Sequence, residues 1–192
     1  MRKNIRLCGV GGQGTILASR LIATAAMDKG IEIKTAETIG MAQRGGSVFS
    51  HVRLGEGANA PLIGKGEVDL IIGFEPGETV RQLPMLRKGG AVVVSSRPVM
   101  PVSAMIGQSG YDPSKMIEYL KENVERLTIV DADKAAQDLG SAKTLNVVLL
   151  GAALRSGELG LTEEDLMNAV REKVPEKLVA LNMRALAWSR EN

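Results

Sequence analysis

One cysteine and one histidine among 192 residues leave little for metal chemistry. Cys8 alone cannot close an internal disulfide, and it cannot hold an iron–sulfur cluster, which takes about four thiolates. His51 alone offers no clustered imidazole site for zinc. Aromatic residues make up 3% of the chain, too few for base-stacking platforms, and 24 Lys and Arg against 22 Asp and Glu leave a net charge of +2 without a long basic run. No nucleic-acid partner is expected. No run of about 18 apolar residues is present, so no membrane partner is expected either. Met1-Arg2-Lys3 passes straight into an apolar segment with no leader pattern, and the chain is expected to be cytoplasmic. Nucleophile elbow, Walker loop and zinc-helix motifs are all missing. Cys8 sits inside the first apolar run, where a buried, inert thiol is the expectation.

Glycine, by contrast, is plentiful at 22 residues, and two segments place it with purpose. Ile5-Arg6-Leu7-Cys8-Gly9-Val10-Gly11-Gly12-Gln13-Gly14 is a short apolar run ending in a glycine turn. Over 15–29, Ile16, Leu17, Leu21, Ile22 and Ala25 recur near helical spacing, so the pattern predicts strand, glycine turn, helix. Gly9, Gly11 and Gly14 satisfy G-x-G-x-x-G, which in dinucleotide folds serves a tight turn, close approach to phosphate and packing of helix on strand. A helix N-terminus there favours an anion. Glu37 ends a second predicted strand over 32–37, roughly where such folds keep a ribose-binding acid. The same glycines would also serve merely to pack the first helix on the sheet, and both readings stay open.

The second segment is Met41-Ala42-Gln43-Arg44-Gly45-Gly46-Ser47-Val48-Phe49-Ser50-His51-Val52-Arg53. Arg44 stands before a Gly-Gly pair whose amides can approach a ligand closely, as in an anion-binding nest. If 47–54 is extended, Ser47, Phe49, His51 and Arg53 share one face, and Val48, Ser50, Val52 and Leu54 share the other, which has the character of core. The first face is costly to bury without partners. Its alternatives are a partner-contact surface or a solvated edge strand after a tight turn.

Along the chain, strands are predicted over 4–10, 32–37, 47–54, 68–74, 91–95 and 127–130, with helices over 15–29, 77–86 and 113–123. Near-continuous apolar runs such as Val68-Asp69-Leu70-Ile71-Ile72 and Ala91-Val92-Val93-Val94 suit central parallel strands covered on both faces. The expected fold is α/β, a doubly wound, mostly parallel sheet in three Rossmann-like α/β/α layers. Residues 1–192 form one domain, of which 132–192 is a mainly helical C-terminal extension packing on it. Its helices are predicted over 131–139, 143–156 and 162–174, the last opened by a Thr162-x-x-Asp165 capping box, and Pro175 precedes one more. The longest loop is 55–66. Ligands in such sheets bind beyond the carboxyl ends of strands, where Glu75, Glu78, Ser95, Ser96, Arg97, Asp131 and Asp133 stand. Each has a plainer role at hand: Glu75, Glu78 and Asp131 as helix N-terminal partners, Asn146 as a buried helix–helix contact.

Taken together, Gly9 to Gly14, Gly40 to Ser47 and Ser50-His51-Val52-Arg53 resemble the gamma-type domain of 2-oxoacid:ferredoxin oxidoreductases. The resemblance continues through Pro61-Leu62-Ile63, Phe74-Glu75-Pro76, Val130-Asp131-Ala132-Asp133 and Asn146 to Ala152. Within that family, Ala-Gln-Arg-Gly-Gly-Ser followed by Ser-His-Val-Arg is closest in look to the small subunit of indolepyruvate-type enzymes. The resemblance implies a subunit of an enzyme that converts a 2-oxoacid, coenzyme A and oxidised ferredoxin into acyl-CoA, carbon dioxide and reduced ferredoxin. Thiamine diphosphate with its magnesium, and the iron–sulfur clusters, would reside on partner subunits, through which ferredoxin is met, while coenzyme A is a co-substrate of the complex. Carried over, Gly11, Gly12, Gln13, Gly14, Arg44, Gly45, Gly46 and Ser47 become candidates for the coenzyme A region, with Arg44 as phosphate partner. Phe49, His51 and Arg53 become candidates for contact with a partner subunit. No residue of this chain is assigned a catalytic role, and a homodimer of the isolated chain is left open.

Two other classes remain at this stage. A self-sufficient NAD(P)-dependent dehydrogenase is favoured by Gly9 to Gly14 and Glu37 but lacks acid–base machinery apart from His51. A nucleotide-binding regulatory module would need only the glycine loop.

Overall fold

A computed structural model describes residues 2–39, 45–57, 60–100, 107 and 110–190. Strands β1 (Lys3–Val10), β2 (Ile33–Ile39), β3 (Ser47–Leu54), β4 (Val68–Gly73), β5 (Leu86–Ser95) and β6 (Arg126–Val130) form one sheet in the order β2-β3-β1-β4-β5-β6. The pairs β1/β4, β4/β5 and β5/β6 are parallel, whereas β3 runs antiparallel to both neighbours. Five strands therefore point one way and one points back. The expected mostly parallel α/β sheet is what forms, with one departure: β3 is inserted between β2 and β1, so it is neither an edge strand nor solvated.

Among the described residues seven helices cover the sheet: α1 (Thr15–Asp28), α2 (Pro76–Gln82), α3 (Pro113–Asn123), α4 (Ala132–Leu139), α5 (Leu145–Arg155), α6 (Glu163–Lys173) and α7 (Glu176–Trp188). Period-two alternation divides the strands between two cores. Ile5, Leu7, Val52, Leu54, Leu70, Ile72, Ala91 and Val93 pack with α1, α5, α6 and α7. On the opposite face Cys8, Ile71, Val92 and Val94 pack with Leu120 and Val124 beside α2 and α3. Burial on both faces explains why β4 and the second half of β5 are apolar without alternation. β5 begins at Leu86, five residues ahead of its apolar run: Leu86 pairs with Val68 and packs on the edge of the second core, and the register then shifts before Ala91.

The expected C-terminal extension supplies most of one helical layer. From Asn146 to Ala153 every residue of α5 is buried, as a helix apolar all round requires. Its Gly151 lets α7 come close, since a Cβ there would lie 2.1 Å from the carbonyl oxygen of Leu186. Capping follows the sequence: Thr162 and Asp165 form the reciprocal box at α6, and Asp131 accepts from the amides of Asp133 and Lys134 at α4. Among the described residues no helix is long and apolar enough to cross a membrane.

At the amino ends of β1, β5 and β6 the layers are joined by charge. Glu158, 8% exposed, accepts from Lys3 and from Arg126, each at 2.5 Å, and lies 3.4 Å from Arg87, which in turn holds Asp69 at 2.5 Å. Burial pushes the Glu158 carboxyl up, but the hydrogen bonds from Lys3 and Arg126 outweigh it and hold the group down at about 2.

Candidate functional site

Antiparallel pairing of β3 with β1 sets Ser47 opposite Val10, so the start of one strand meets the end of the other. Both glycine segments thus lie at one rim, joined directly: the Gly11 amide donates to the Gly46 carbonyl at 2.8 Å and the Gly45 amide to that of Gly11 at 3.3 Å. Glycine is required by backbone at Gly12 and Gly14, with φ of 105° and 84°, and by space at Gly14, where a Cβ would come 2.9 Å from the Asn146 amide nitrogen. Asn146 is thereby the residue that seats the turn before α1 against the start of α5. Its own oxygen accepts from the amide of Val147.

Gln13 closes the crevice between β1 and β4. Its side-chain oxygen accepts from the Val10 amide at 2.7 Å, and its nitrogen donates to the Phe74 carbonyl at 2.9 Å. Beyond it, Ser47 Oγ donates to Glu78 at 2.5 Å, and Glu75 accepts from the Glu78 amide as the N-cap of α2. Tyr111 donates its hydroxyl to the other Glu75 oxygen, and burial together with that carboxylate pushes the phenol pKa up. Further along the rim, Ser96 Oγ accepts from the amide of Ala132 at 3.2 Å. Glu75 and Asp131 take the plainer capping roles, while Glu78, in the first turn of α2, is held by Ser47 and lies 3.6 Å from Arg81.

The crevice is therefore laced by hydrogen bonds and lined by two buried carboxylates, which disfavour a pyrophosphate seated in the β1/β4 crevice. Glu37 is exposed, and β3 separates its strand from β1, so it stands two strands away, roughly 10 Å from the glycine loop in the sheet plane. A dinucleotide fold needs its ribose-binding acid on the strand beside β1, and here that place belongs to β3.

Of the coenzyme A candidates, Gly11, Gly12, Gln13, Gly14, Gly45, Gly46 and Ser47 come together at this rim. Arg44, with Gly40 to Gln43, lies outside the described residues. Gly45 and Ser47 are exposed, Gly46 partly so, and Gln13 is half-buried with both ends of its amide engaged.

The partner-contact candidates lie elsewhere, on the α2 side of the sheet. Phe49 is half-buried, but His51 and Arg53 are 5% and 7% exposed. In this chain both side chains turn inward and are engaged by neighbouring groups. Arg53 donates through Nη1 to the carbonyls of Ala60 and Leu62 and through Nε to Asn4 Oδ1. His51 Nδ1 accepts from the amide of Ile63. Arg6, opposite His51 on β1, stacks over the Phe49 ring at 4.1 Å, donates to Gln82 at 2.6 Å and reaches the imidazole. Burial, then the charges of Arg6 and Arg53, push the His51 pKa down to about 4, so its ring is neutral at physiological pH and is no poised base. Arg6 is the participant that the strand pattern missed. The signal was available: an arginine inside a run expected to be a central strand must be buried, and so must find acceptors and an aromatic face.

Cys8 is buried, and burial pushes its thiol up to about 12, which makes it inert. Among the described residues no group of three or more His, Cys, Asp or Glu could hold a metal ion.

The chain matches known proteins over nearly its whole length. Residues 4–191 fit the family model described as pyruvate ferredoxin/flavodoxin oxidoreductase, and the chain belongs to that family. It is 37% identical over 187 residues to the indolepyruvate oxidoreductase subunit IorB of Thermococcus kodakarensis, covering 95% of this chain and 91% of that one. The pyruvate/ketoisovalerate oxidoreductases common subunit gamma of the same organism is 26% identical over 187 residues, covering 94% of this chain and 91% of the other. Among solved structures, a keto/oxoacid ferredoxin oxidoreductase gamma subunit from Geobacter sulfurreducens superposes with a TM-score of 0.71 at 25% identity, over 98% of this chain and 96% of that one. The chain is thus of the gamma, or IorB, subunit type.

Proposed function

We propose that this chain is the small subunit of an indolepyruvate-type 2-oxoacid:ferredoxin oxidoreductase and that its glycine rim shapes the coenzyme A region of the assembled enzyme. Thiamine diphosphate, magnesium and the iron–sulfur clusters sit on partner subunits, where decarboxylation and electron transfer to ferredoxin take place. The observation that carries the reading is the junction of Gly11 with Gly45 and Gly46, which unites two separate motifs of the family at one open strand end. The higher identity to the indolepyruvate relative than to the pyruvate/ketoisovalerate relative of one organism supports the choice of 2-oxoacid. Arg44 adjoins Gly45 in sequence and supplies the cation for an anionic group of coenzyme A.

The test is reconstitution. The purified chain alone should be colourless and should not decarboxylate indolepyruvate; addition of the thiamine- and cluster-bearing subunit should restore turnover. Micromolar binding of NADH by the isolated chain would instead favour a dehydrogenase. In the complex, Arg44→Ala should raise the half-saturating coenzyme A concentration about 10- to 150-fold, which corresponds to about 1.5–3 kcal/mol, without loss of assembly. Lysine should rescue only in part, because a point charge replaces a planar fork. Unchanged assembly and unchanged coenzyme A dependence would reduce the segment to a turn.

A further inference from the structure

We propose that a cavity at the N-terminal end of α5 is a binding site for a small carboxylate with an apolar body, with Lys143 and Asn146 as the partners of the carboxylate. Its residues are not those of the coenzyme A region proposed above, although Asn146 borders Gly14 of that rim.

The cavity, about 240 Å³, opens between α1, the start of α5 and α7. Leu17, Val174, Leu178 and Leu181 give it apolar walls, and Leu178 is left 41% exposed. Two asparagines also line it, both more than nine-tenths buried, at 5% exposure for Asn146 and 8% for Asn182. Each has one end of its amide engaged within the chain. The Asn146 oxygen accepts from the amide of Val147 at 3.0 Å, and the Asn182 nitrogen donates to the carbonyl of Leu178 at 2.8 Å. Those bonds fix which way each amide is turned. What remains is a donor on Asn146 and an acceptor on Asn182, neither with a partner among the described residues. Neither end is sealed: among the described residues the side-chain atom both enclosed and unpartnered is Ser189 Oγ. Buried amide ends that open on a cavity are costly unless an occupant supplies the matching groups.

Charge selects the class of occupant. No aspartate or glutamate lines the cavity, whereas Lys143 and Lys173 do. Lys173 is answered by its neighbour Glu172 at 2.6 Å, but the Lys143 ammonium has no acceptor among the described residues. Lys143 precedes Asn146 by three residues across the start of the helix, and that spacing sets both on one side of it. With the helix N-terminus beside them, these two donors favour a single anionic group. A carboxylate offers one oxygen to each and leaves its apolar body against the leucine walls; a fully hydrated anion such as inorganic phosphate would leave those walls unused. At about 240 Å³ the cavity falls below the about 300–1,000 Å³ of sites for drug-sized ligands, so the body must be compact.

Titration of the full chain with phenylacetate, followed by NMR chemical shifts, provides the test. Saturable one-to-one binding with a Kd of about 1 mM or tighter is expected. Benzyl alcohol lacks the carboxylate and acetate lacks the ring, and each should bind about tenfold more weakly. Lys143→Ala should weaken phenylacetate binding about fivefold, and Lys143→Arg should keep most of it. Asn146→Asp turns the donor into an acceptor and should abolish binding; if that variant does not fold, Lys143→Ala, at an exposed residue, decides the matter. Lys115→Ala, at an exposed lysine of α3 across the sheet, should have no effect. Absence of saturation by about 10 mM phenylacetate would overturn the site. Equal binding of benzyl alcohol, or equal losses from Lys143→Ala and Lys115→Ala, would overturn it as well.

Discussion

The two ends of the sheet are held by different forces. At the amino ends, Glu158 and Asp69 gather Lys3, Arg87 and Arg126 into an ionic lock that binds the C-terminal helical layer to three strands. At the carboxyl ends, the glycine rim is tied by backbone amides, the Gln13 amide and one serine hydroxyl. Ion pairs that are partly buried are strong but dedicated: their groups have no capacity left for a ligand. Neutral bonds among glycines are weaker and leave exposed backbone beside them. Stability is thus concentrated at one end of the molecule, and the candidate site occupies the other.

Removal of Glu158 should have the largest effect. Glu158→Ala leaves Lys3 and Arg126 without their carboxylate and Arg87 with Asp69 alone, and should cost about 2–3 kcal/mol in urea unfolding, less than for a fully buried pair because Arg126 is 43% exposed. Coenzyme A dependence of the complex should not change. If it does, the two ends are coupled and the division of labour fails.

Acid titration separates the same regions without mutation. His51 is held neutral with its pKa lowered from 6.5 to about 4, so the unfolded chain binds its proton first; the associated stability is present above about pH 6.5 and lost as pH falls toward 4. Glu158, lowered from 4.5 to about 2, contributes fully above about pH 4.5 and loses that contribution as pH falls toward 2. Urea midpoints measured between pH 7 and pH 3 should therefore fall in two stages. His51→Gln should abolish the first, and Glu158→Gln should diminish the second, which is shared by Asp165, pushed up by burial but held down by Lys29 and Thr162.

Gly14→Ala should follow, at about 1–2 kcal/mol, since alanine is strained at a φ of 84° and meets Asn146 at 2.9 Å. In contrast to Glu158→Ala, it should also weaken coenzyme A saturation of the complex. Ser47→Ala should cost the least, about 0.5–1.5 kcal/mol, by loss of the bond to Glu78. A larger loss would show that the rim carries more stability than its hydrogen bonds suggest.

Much of the fold is legible in local pattern. The helix at 113–123, the capping box at Thr162 and Asp165, and the N-caps at Asp131 and Glu75 follow from residues a few positions apart, and the structure agrees with each. Strand 68–74 and the helical character beyond Asp131 come from apolar runs, which burial preserves. The site is legible only as two motifs. Nothing in Gly11 to Gly14 or in Gly45 to Ser47 specifies that they touch, because contact depends on the direction of β3, a strand whose alternation is the same whether it runs up or down the sheet.

Partition of polar residues on β3 shows the same limit. Sequence alternation places Phe49, His51 and Arg53 on one face, and the register with β1 confirms it by setting Cys8, Arg6 and Asn4 opposite them. Whether that face meets water, a partner or another part of the chain depends on segment 60–63 crossing over it, and on Arg6 arriving from the neighbouring strand.

By itself, then, the amino-acid sequence determined the α/β class, the kinds and approximate bounds of the elements, the inert thiol and the family motifs, all of which depend on periodicity, propensity and residue chemistry within short windows. Only the tertiary structure decided that β3 enters between β2 and β1, that Glu37 is thereby removed from the glycine loop, that Gln13 spans the crevice, and that His51 and Arg53 hold a loop inside the chain instead of facing outward. Those outcomes depend on strand order and direction, which set distances between residues remote in sequence, and no local pattern encodes them.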